Sequence, residues 1–459
     1  MRRLASLLIV ATLGTTIASC DLDVPDLNNP GIGDLEDNPT PSAVSAACTG
    51  LLIGNRRNQA AANGFVAQLS ILARDAYNFD QADPRFIGEL LQGTLQAGSP
   101  FGGNFWTGPY ANIRLANTIL KATDKVAEFS DQEKAAIRGF TNTIKALDLL
   151  EVAVTRDDIG AVIDTDRPLD AELAPIVSKD QVYTEIVRLL DEGATDLQAA
   201  GDAFPFALSN GYAGFDTPAT FRTFNRAIRA RVSAYMGDYP TVLAALAESF
   251  IDDTAVDLEG LDTGVYYSYS TGAGDVTNNL INPNIYAHPS VAADAQTKTG
   301  GVKDARFTRK VTTTDEPGSA QGLTSDLVFT LYTSPDSPVP LIRNEELILL
   351  RAEAKFFTGD VAGAIDDLNL VRVNSGGLAP LTGTPNEATF IDELLYERRY
   401  SLLFEWGHRW IDVRRFGRVE SLPLDMPGDT RNIRYPIPLS ECNARPADEP
   451  ACDKISTGG

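Results

Sequence analysis

Histidine is nearly absent from this chain: its 459 residues hold only His288 and His408. Neither falls in an H-E-x-x-H pattern, and no G-x-S-x-G or P-loop segment occurs. The common metalloprotease, hydrolase and nucleotide-binding signatures are therefore excluded. Cysteine is scarce too, at four, and no two form a C-x-x-C pair, which argues against a structural zinc site. Cations are outnumbered: 39 Lys and Arg stand against 62 Asp and Glu, a net charge of −23. Such an excess disfavours nucleic acid and anionic lipid as partners and suits a well-solvated surface. Sixty-two acids always supply a pair at some spacing, so paired carboxylates carry no glycosidase signal here. Asp164, Asp166 and Asp170 lack the glycine and closing Glu of an EF-hand and read as an acidic loop. No metal and no cofactor is expected.

The N-terminal apolar stretch, Leu4 to Leu13, is short. It follows Arg2 and Arg3 and is broken by Gly14, Thr15 and Thr16. A spanning helix needs about 20 apolar residues, whereas a basic start, a short apolar core and a small-residue end describe a secretory signal over residues 1–19. The segment Ile17-Ala18-Ser19-Cys20 resembles the bacterial lipobox, which implies lipidation of Cys20. Residues 20–41 are polar and punctuated by Pro25 and Pro30, so they read as a tether. Asp21, directly after Cys20, resembles an inner-membrane retention signal of enteric bacteria. In Bacteroides-like bacteria, acidic residues at this place resemble a surface-export signal, and both readings stay open.

Hydrophobic residues make up 43% of the chain, enough for a sizeable core, and residues 42–459 read as a single domain. Periodicity predicts helices over 42–65, 65–77, from 105 onward, and over 131–156, 179–200 and 217–236. In the third, Trp106, Tyr110, Ile113, Asn117 and Leu120 fall on one helical face. Helix, Gly237-Asp238, helix recurs 122 residues later as helix, Gly359-Asp360, helix, with small residues at the crossing. This is the outline of a tetratricopeptide-like hairpin. Between the two units, about 252–340, Thr, Ser, Gly, Asn and Pro dominate and no helical period survives. A long irregular stretch with interspersed aromatics is expected to be functional. Cys442 and Cys452, in a Pro- and Asn-rich tail, are a candidate disulfide in an oxidising compartment. Cys48, in a small-residue helical run, reads as a buried hydrophobe.

From Arg343 onward the pattern becomes specific. Glu346, Leu349, Leu350, Arg351, Ala352, Glu353 and Ala354, then Gly359, Ala364, Leu368, Asn369, Val371 and Arg372, resemble the C-terminal half of the SusD/RagB family. So do Glu397-Arg398-Arg399, the run Gly407-His408-Arg409-Trp410-Ile411-Asp412, and Tyr435-Pro436-Ile437-Pro438. Trp106, Tyr110, Ile113, Ala116 and Asn117 are similar to an early helix of the family. The resemblance implies a mostly α, tetratricopeptide-like scaffold with long irregular loops and little β-structure. It implies an outer-membrane, lipid-anchored surface protein that binds oligosaccharide or another nutrient and does no covalent chemistry. Its expected partner is a TonB-dependent outer-membrane transporter of the SusC-like kind.

Two segments mix aromatic rings with hydrogen-bonding side chains, as a sugar site requires. One is Tyr77, Asn78 and Phe79 with Asp83 and Arg85; the other carries Tyr266, Tyr267, Tyr269 and Tyr286. The cluster Glu397, Arg398, Arg399, Glu405, Arg409 and Asp412 reads as ion pairing that ties the last helices to the scaffold. Trp406 and Trp410, one turn apart, read as core. A peptide-binding or protein-interaction scaffold is the alternative, because tetratricopeptide hairpins commonly bind proteins. An extracellular glycoside-active enzyme is a third reading, against which the missing catalytic constellation weighs.

Overall fold

The computed structural model of the protein describes residues 32–168, 170–298 and 300–457. Cys20, the signal segment and the first part of the tether lie outside the described residues. The longer helices are α1 (Pro41–Arg56), α2 (Phe65–Leu72), α3 (Asn104–Lys125), α4 (Asp131–Arg156), α5 (Lys179–Ala199), α6 (Pro218–Met236) and α7 (Tyr239–Ala247). After the loop-rich region come α8 (Asn344–Phe357), α9 (Val361–Asn374), α10 (Glu387–Ser401) and α11 (His408–Arg415). From α3 to α9 each helix packs on the next in chain order, and α10 packs on both α8 and α9. A mostly α, tetratricopeptide-like fold is thus what the sequence forms. Among the described residues, no helix is long and apolar enough to cross a membrane.

Local chemistry sets the helix starts. Ser130 accepts from the Glu133 amide while Glu133 reaches back to the Ser130 amide, and Ser178 with Gln181 does the same for α5. The two Gly-Asp turns are geometric copies. Gly237 and Gly359 sit at φ of 73° and 94°, a left-handed conformation that glycine adopts without strain. Asp238 and Asp360 follow at φ, ψ of −87°, 72° and −86°, 69°, and each caps the next helix through its carboxylate. The second hairpin also has its own small core, where Ile348, Leu349, Ala352, Ala364, Leu368 and Val371 pack with Leu261, Phe390 and Leu394.

The helix expected over 65–77 stops at Leu72. Arg74 turns left-handed at φ 57°, and Ala76–Asn78 then forms strand β1. The 252–340 region is also more ordered than its composition suggests. It holds β4 (Gly264–Tyr267), β5 (Ile285–Ala287), β6 (Val311–Ala320), β7 (Leu323–Phe329) and β8 (Val339–Arg343); the short pair β2 (Ala161–Val162) and β3 (Ile176–Val177) lies outside it. The sheets are two-stranded and antiparallel: β1–β5, β2–β3, β4–β8 and β6–β7. In β7 the order buried, exposed, buried, exposed, buried over Leu323 to Leu327 is strand alternation. Only two of those inward residues are aliphatic, so the period is easily overlooked in a Thr- and Ser-rich stretch.

The C-terminal tail is stitched to the N-terminal third. Arg74, fully buried after α2, donates to the Thr430 carbonyl at 2.6 Å. Tyr435 donates to the Gln68 side chain at 2.9 Å, and the Leu95 amide donates to the Ser456 hydroxyl at 2.9 Å. Cys442 and Cys452 are joined as a disulfide, and Cys48 is free and buried. On α4, the buried Asp148 accepts from the amides of Asn55 and Asn112 at 2.7 Å each. Burial pushes its carboxyl up to about 7, against the pull of those two hydrogen bonds.

Candidate functional site

The first of the two expected segments is mostly structural. Strand β1 pairs with β5 so that Tyr77 lies opposite Tyr286. Tyr77 packs on Phe79 at 5.1 Å and on His288 at 4.7 Å, and Phe79 packs on Tyr286 at 5.5 Å. Tyr77 and Phe79 are buried, so their rings are core packing and offer no open face to a ligand. Asn78 is buried as well, and its side-chain Oδ1 accepts from the Asp80 backbone amide. Exposed surface remains on Asp83 and Arg85, which pair at 2.8 Å, and on part of Tyr286. The Arg85 guanidinium donates to Asp83 and holds that carboxyl below its ordinary range.

The cluster on the last helices is buried ion pairing. Arg231 of α6 donates twice to Glu346 of α8, at 2.7 and 2.6 Å, with both side chains fully enclosed. Arg398 pairs with Asp412 at 2.6 Å, and Arg399 and Arg409 share Asp75 at 2.9 and 2.7 Å. Arg343 donates to Glu405 at 2.9 Å and also meets Glu345. Against the cost of burial, Arg343 and Lys310 hold Glu345 down to about 2. Trp406 and Trp410 are buried as expected. These groups pair chiefly with one another, although Arg231 Nη1 and both Nη atoms of Arg398 are buried without a partner among the described residues.

Strand β4 presents the opposite case. Inward positions Val265 and Tyr267 are buried, and Tyr269 beyond the strand is only 6% exposed, while Tyr266 between them is half-buried. Tyr267 is thus core and Tyr266 is the ring that meets solvent. A groove of about 590 Å³ opens here, lined by Tyr266, Tyr269, Phe215, Asn210, Glu259, Asp262 and Asp336. Its walls come from three separate loops. The turn Asn210–Tyr212 lies directly on β4, where a Cβ on Gly211 would stand 1.9 Å from the Tyr266 carbonyl oxygen, so only glycine fits. Asp257 caps the short helix Leu258–Asp262 by accepting from the Gly260 amide, and this presents Glu259 and Asp262. Asn344, buried at the start of α8, clamps that loop by donating to the carbonyls of Asp252 and Gly260.

Three carboxylates therefore border one half-exposed aromatic ring. Partial burial holds Asp262 above the ordinary carboxylate range, with Arg343 at 3.1 Å opposing it. A hydrogen bond from Ser334 holds Asp336 below that range. Among the described residues, the Glu259 carboxylate and the Asn210 amide have no hydrogen-bond partner of their own. A second groove, about 410 Å³, lies by Trp106 and Tyr110 at the start of α3. There the two rings pack on each other at 4.8 Å, and the Tyr110 hydroxyl is used twice by the Val162 backbone.

Sequence reasoning singled out Tyr266 and Tyr269 but missed Asn210, Phe215, Glu259, Asp262 and Asp336. Period-two burial across 265–269 is the signal that separates the outward tyrosine from the inward ones.

Residues 331–447 match the model of the SusD family. No curated protein matches the chain. Among solved structures, a SusD superfamily protein from Bacteroides vulgatus is similar at a TM-score of 0.70 and 14% identity, covering 91% of this chain and 98% of that one. A SusD-like carbohydrate-binding protein from Bacteroides fragilis gives a TM-score of 0.71 at 16% identity, covering 90% and 99%. A laminarin-binding SusD-like protein gives 0.61 at 17% identity, covering 87% and 97%.

Proposed function

For a chain that carries the SusD family signature at residues 331–447 on the SusD-superfamily fold, we propose that it binds oligosaccharide in the groove beside β4. The observation that carries this reading is the half-exposed ring of Tyr266 set among polar groups. Of these, Glu259 and Asn210 have no partner among the described residues, and Asp262 and Asp336 are only partly used by the fold. Sugars present apolar C–H faces that lie on an aromatic ring, while their hydroxyls need acceptors and donors around the rim. Glu259, Asp262, Asp336 and Asn210 are such a rim. Carbohydrate- and laminarin-binding proteins among the structural neighbours support the same reading. Calorimetry with a panel of oligosaccharides tests it. Tyr266→Ala should weaken binding by roughly 1–3 kcal/mol, by analogy with aromatic–base stacking. Unchanged affinity in a folded variant would move the site elsewhere.

The role is capture without cleavage, so the titrated glycan should be recovered at its original length. Delivery to a TonB-dependent, SusC-like transporter in the outer membrane completes the reading, and co-purification of a large barrel protein from detergent-solubilised membranes tests it. Cys20 is the proposed lipid anchor. Cys20→Ala, expressed with its signal, should leave the membrane fraction, and equal retention of both forms would refute the anchor.

A further inference from the structure

Resting on the glycan reading of this groove, we propose that it sorts glycans by charge, favouring amino-bearing sugars, accepting neutral ones and rejecting uronates and sulfated chains. The three acidic side chains Glu259, Asp262 and Asp336 border the groove, and no Lys or Arg lines it. Arg343, a cation behind one wall, is 3% exposed and already shared among Glu345, Glu405 and Asp262. Lys310, another cation behind that wall, is spent on Glu405 at 2.8 Å and on the Ser401 carbonyl. Arg309, which donates to Ser375, also stands within reach of Glu345 and Asp262. The charge left without a cation is therefore that of Glu259 and Asp336, while Asp262, 59% exposed, shares Arg343. On the far wall, Arg56 is held by the Ser268 carbonyl and by Asp275.

A ligand carboxylate entering this groove meets like charge, and the lining offers the neutral Asn210 amide but no cation to compensate it. An ammonium group meets up to three acceptors that are already free or only partly neutralised. Charges this close fall inside a Debye length of about 8 Å at physiological salt, so the sorting persists there and fades as salt is raised. Sugar hydroxyls, which donate, are served by the same carboxylates without any charge requirement.

The test measures three ligands of equal length by calorimetry at 20 mM and 500 mM salt: a glucosamine oligomer, its N-acetylated counterpart and a galacturonate oligomer. The expected order is amino over acetylated over uronate, with at least a tenfold gap between the outer two at low salt that narrows at high salt. The double variant Glu259→Gln/Asp336→Asn, which leaves the Asp262–Arg343 pair in place, should shrink that gap while keeping the melting temperature. A uronate bound as tightly as the neutral oligomer at low salt overturns the charge sorting and leaves the glycan reading standing. A gap that the double variant does not change also overturns it. Binding of none of the three, nor of any neutral oligosaccharide in the wider panel, overturns the glycan reading itself and this inference with it.

Discussion

The acids of the last helices and the acids around the β4 groove are the same residue types in opposite settings. Glu346, Glu405, Asp412 and Asp75 are buried and each meets at least one guanidinium. Glu259 and Asp336 are exposed and meet none, and Asp262 shares one. Asp148 is a third case, buried without a cation and held by two asparagine amides. The difference teaches that charge type alone says little about role. What matters is whether the fold supplies the counter-charge, because a buried charge must be compensated and an exposed one is free to serve a ligand.

The largest effect should come from breaking the paired side. Arg231→Ala strands Glu346 in a fully enclosed position and should cost about 3–5 kcal/mol. Chemical denaturation would measure it, and a loss under 1 kcal/mol would mean that the pair is dispensable. Next is the covalent link in the same stitched tail. Cys442→Ser/Cys452→Ser opens a short loop and should cost roughly 2–3 kcal/mol in the chain-entropy picture. Thermal melts of the oxidised native chain and the variant compare the two, with equal melting points counting against a stabilising bond. The last effect, and one that depends on pH, concerns the buried acid without a cation. The carboxyl of Asp148 titrates near 7 in the folded chain and near 3.9 unfolded, so the folded state holds the extra proton between those values. Its contribution is complete below about pH 4 and is lost as pH rises through 7. Relative to Asp148→Asn, the native chain should therefore lose stability from pH 5 to pH 8. Parallel melting curves for the two would contradict this. Glu345, held down to about 2, acts with the opposite sign and only below about pH 4.5, outside the pH 5 to 8 range of that comparison.

Much of the fold was legible in the sequence, because helical period and caps are local. Helix α4 was expected over 131–156 and spans Asp131–Arg156. The two Gly-Asp turns announced a repeat that is now seen to match in backbone angles. The candidate site was legible only in part. Tyr266, Tyr267 and Tyr269 look equivalent in a composition, and strand alternation is what turns one outward and two inward. Glu259 and Asp336 are 77 positions apart, and the β4–β8 pairing brings their loops to one groove. Asp75, which serves both Arg399 and Arg409, lies more than 300 residues before them, and no local pattern announces such a partner.

The tail's hydrogen bonds to residues 68–95 also set an order of events in time. Arg74 is buried by a turn that is made early in the chain, yet its acceptor at Thr430 emerges 356 residues later. Such pairings span nearly the whole sequence, and topology of this kind slows folding because distant segments must meet before the contact stabilises either. A chain made from its N-terminus first therefore has only the long bonds from Arg74 to the Leu72 and Leu91 carbonyls, at 3.3 and 3.4 Å, until the short one to Thr430 can form.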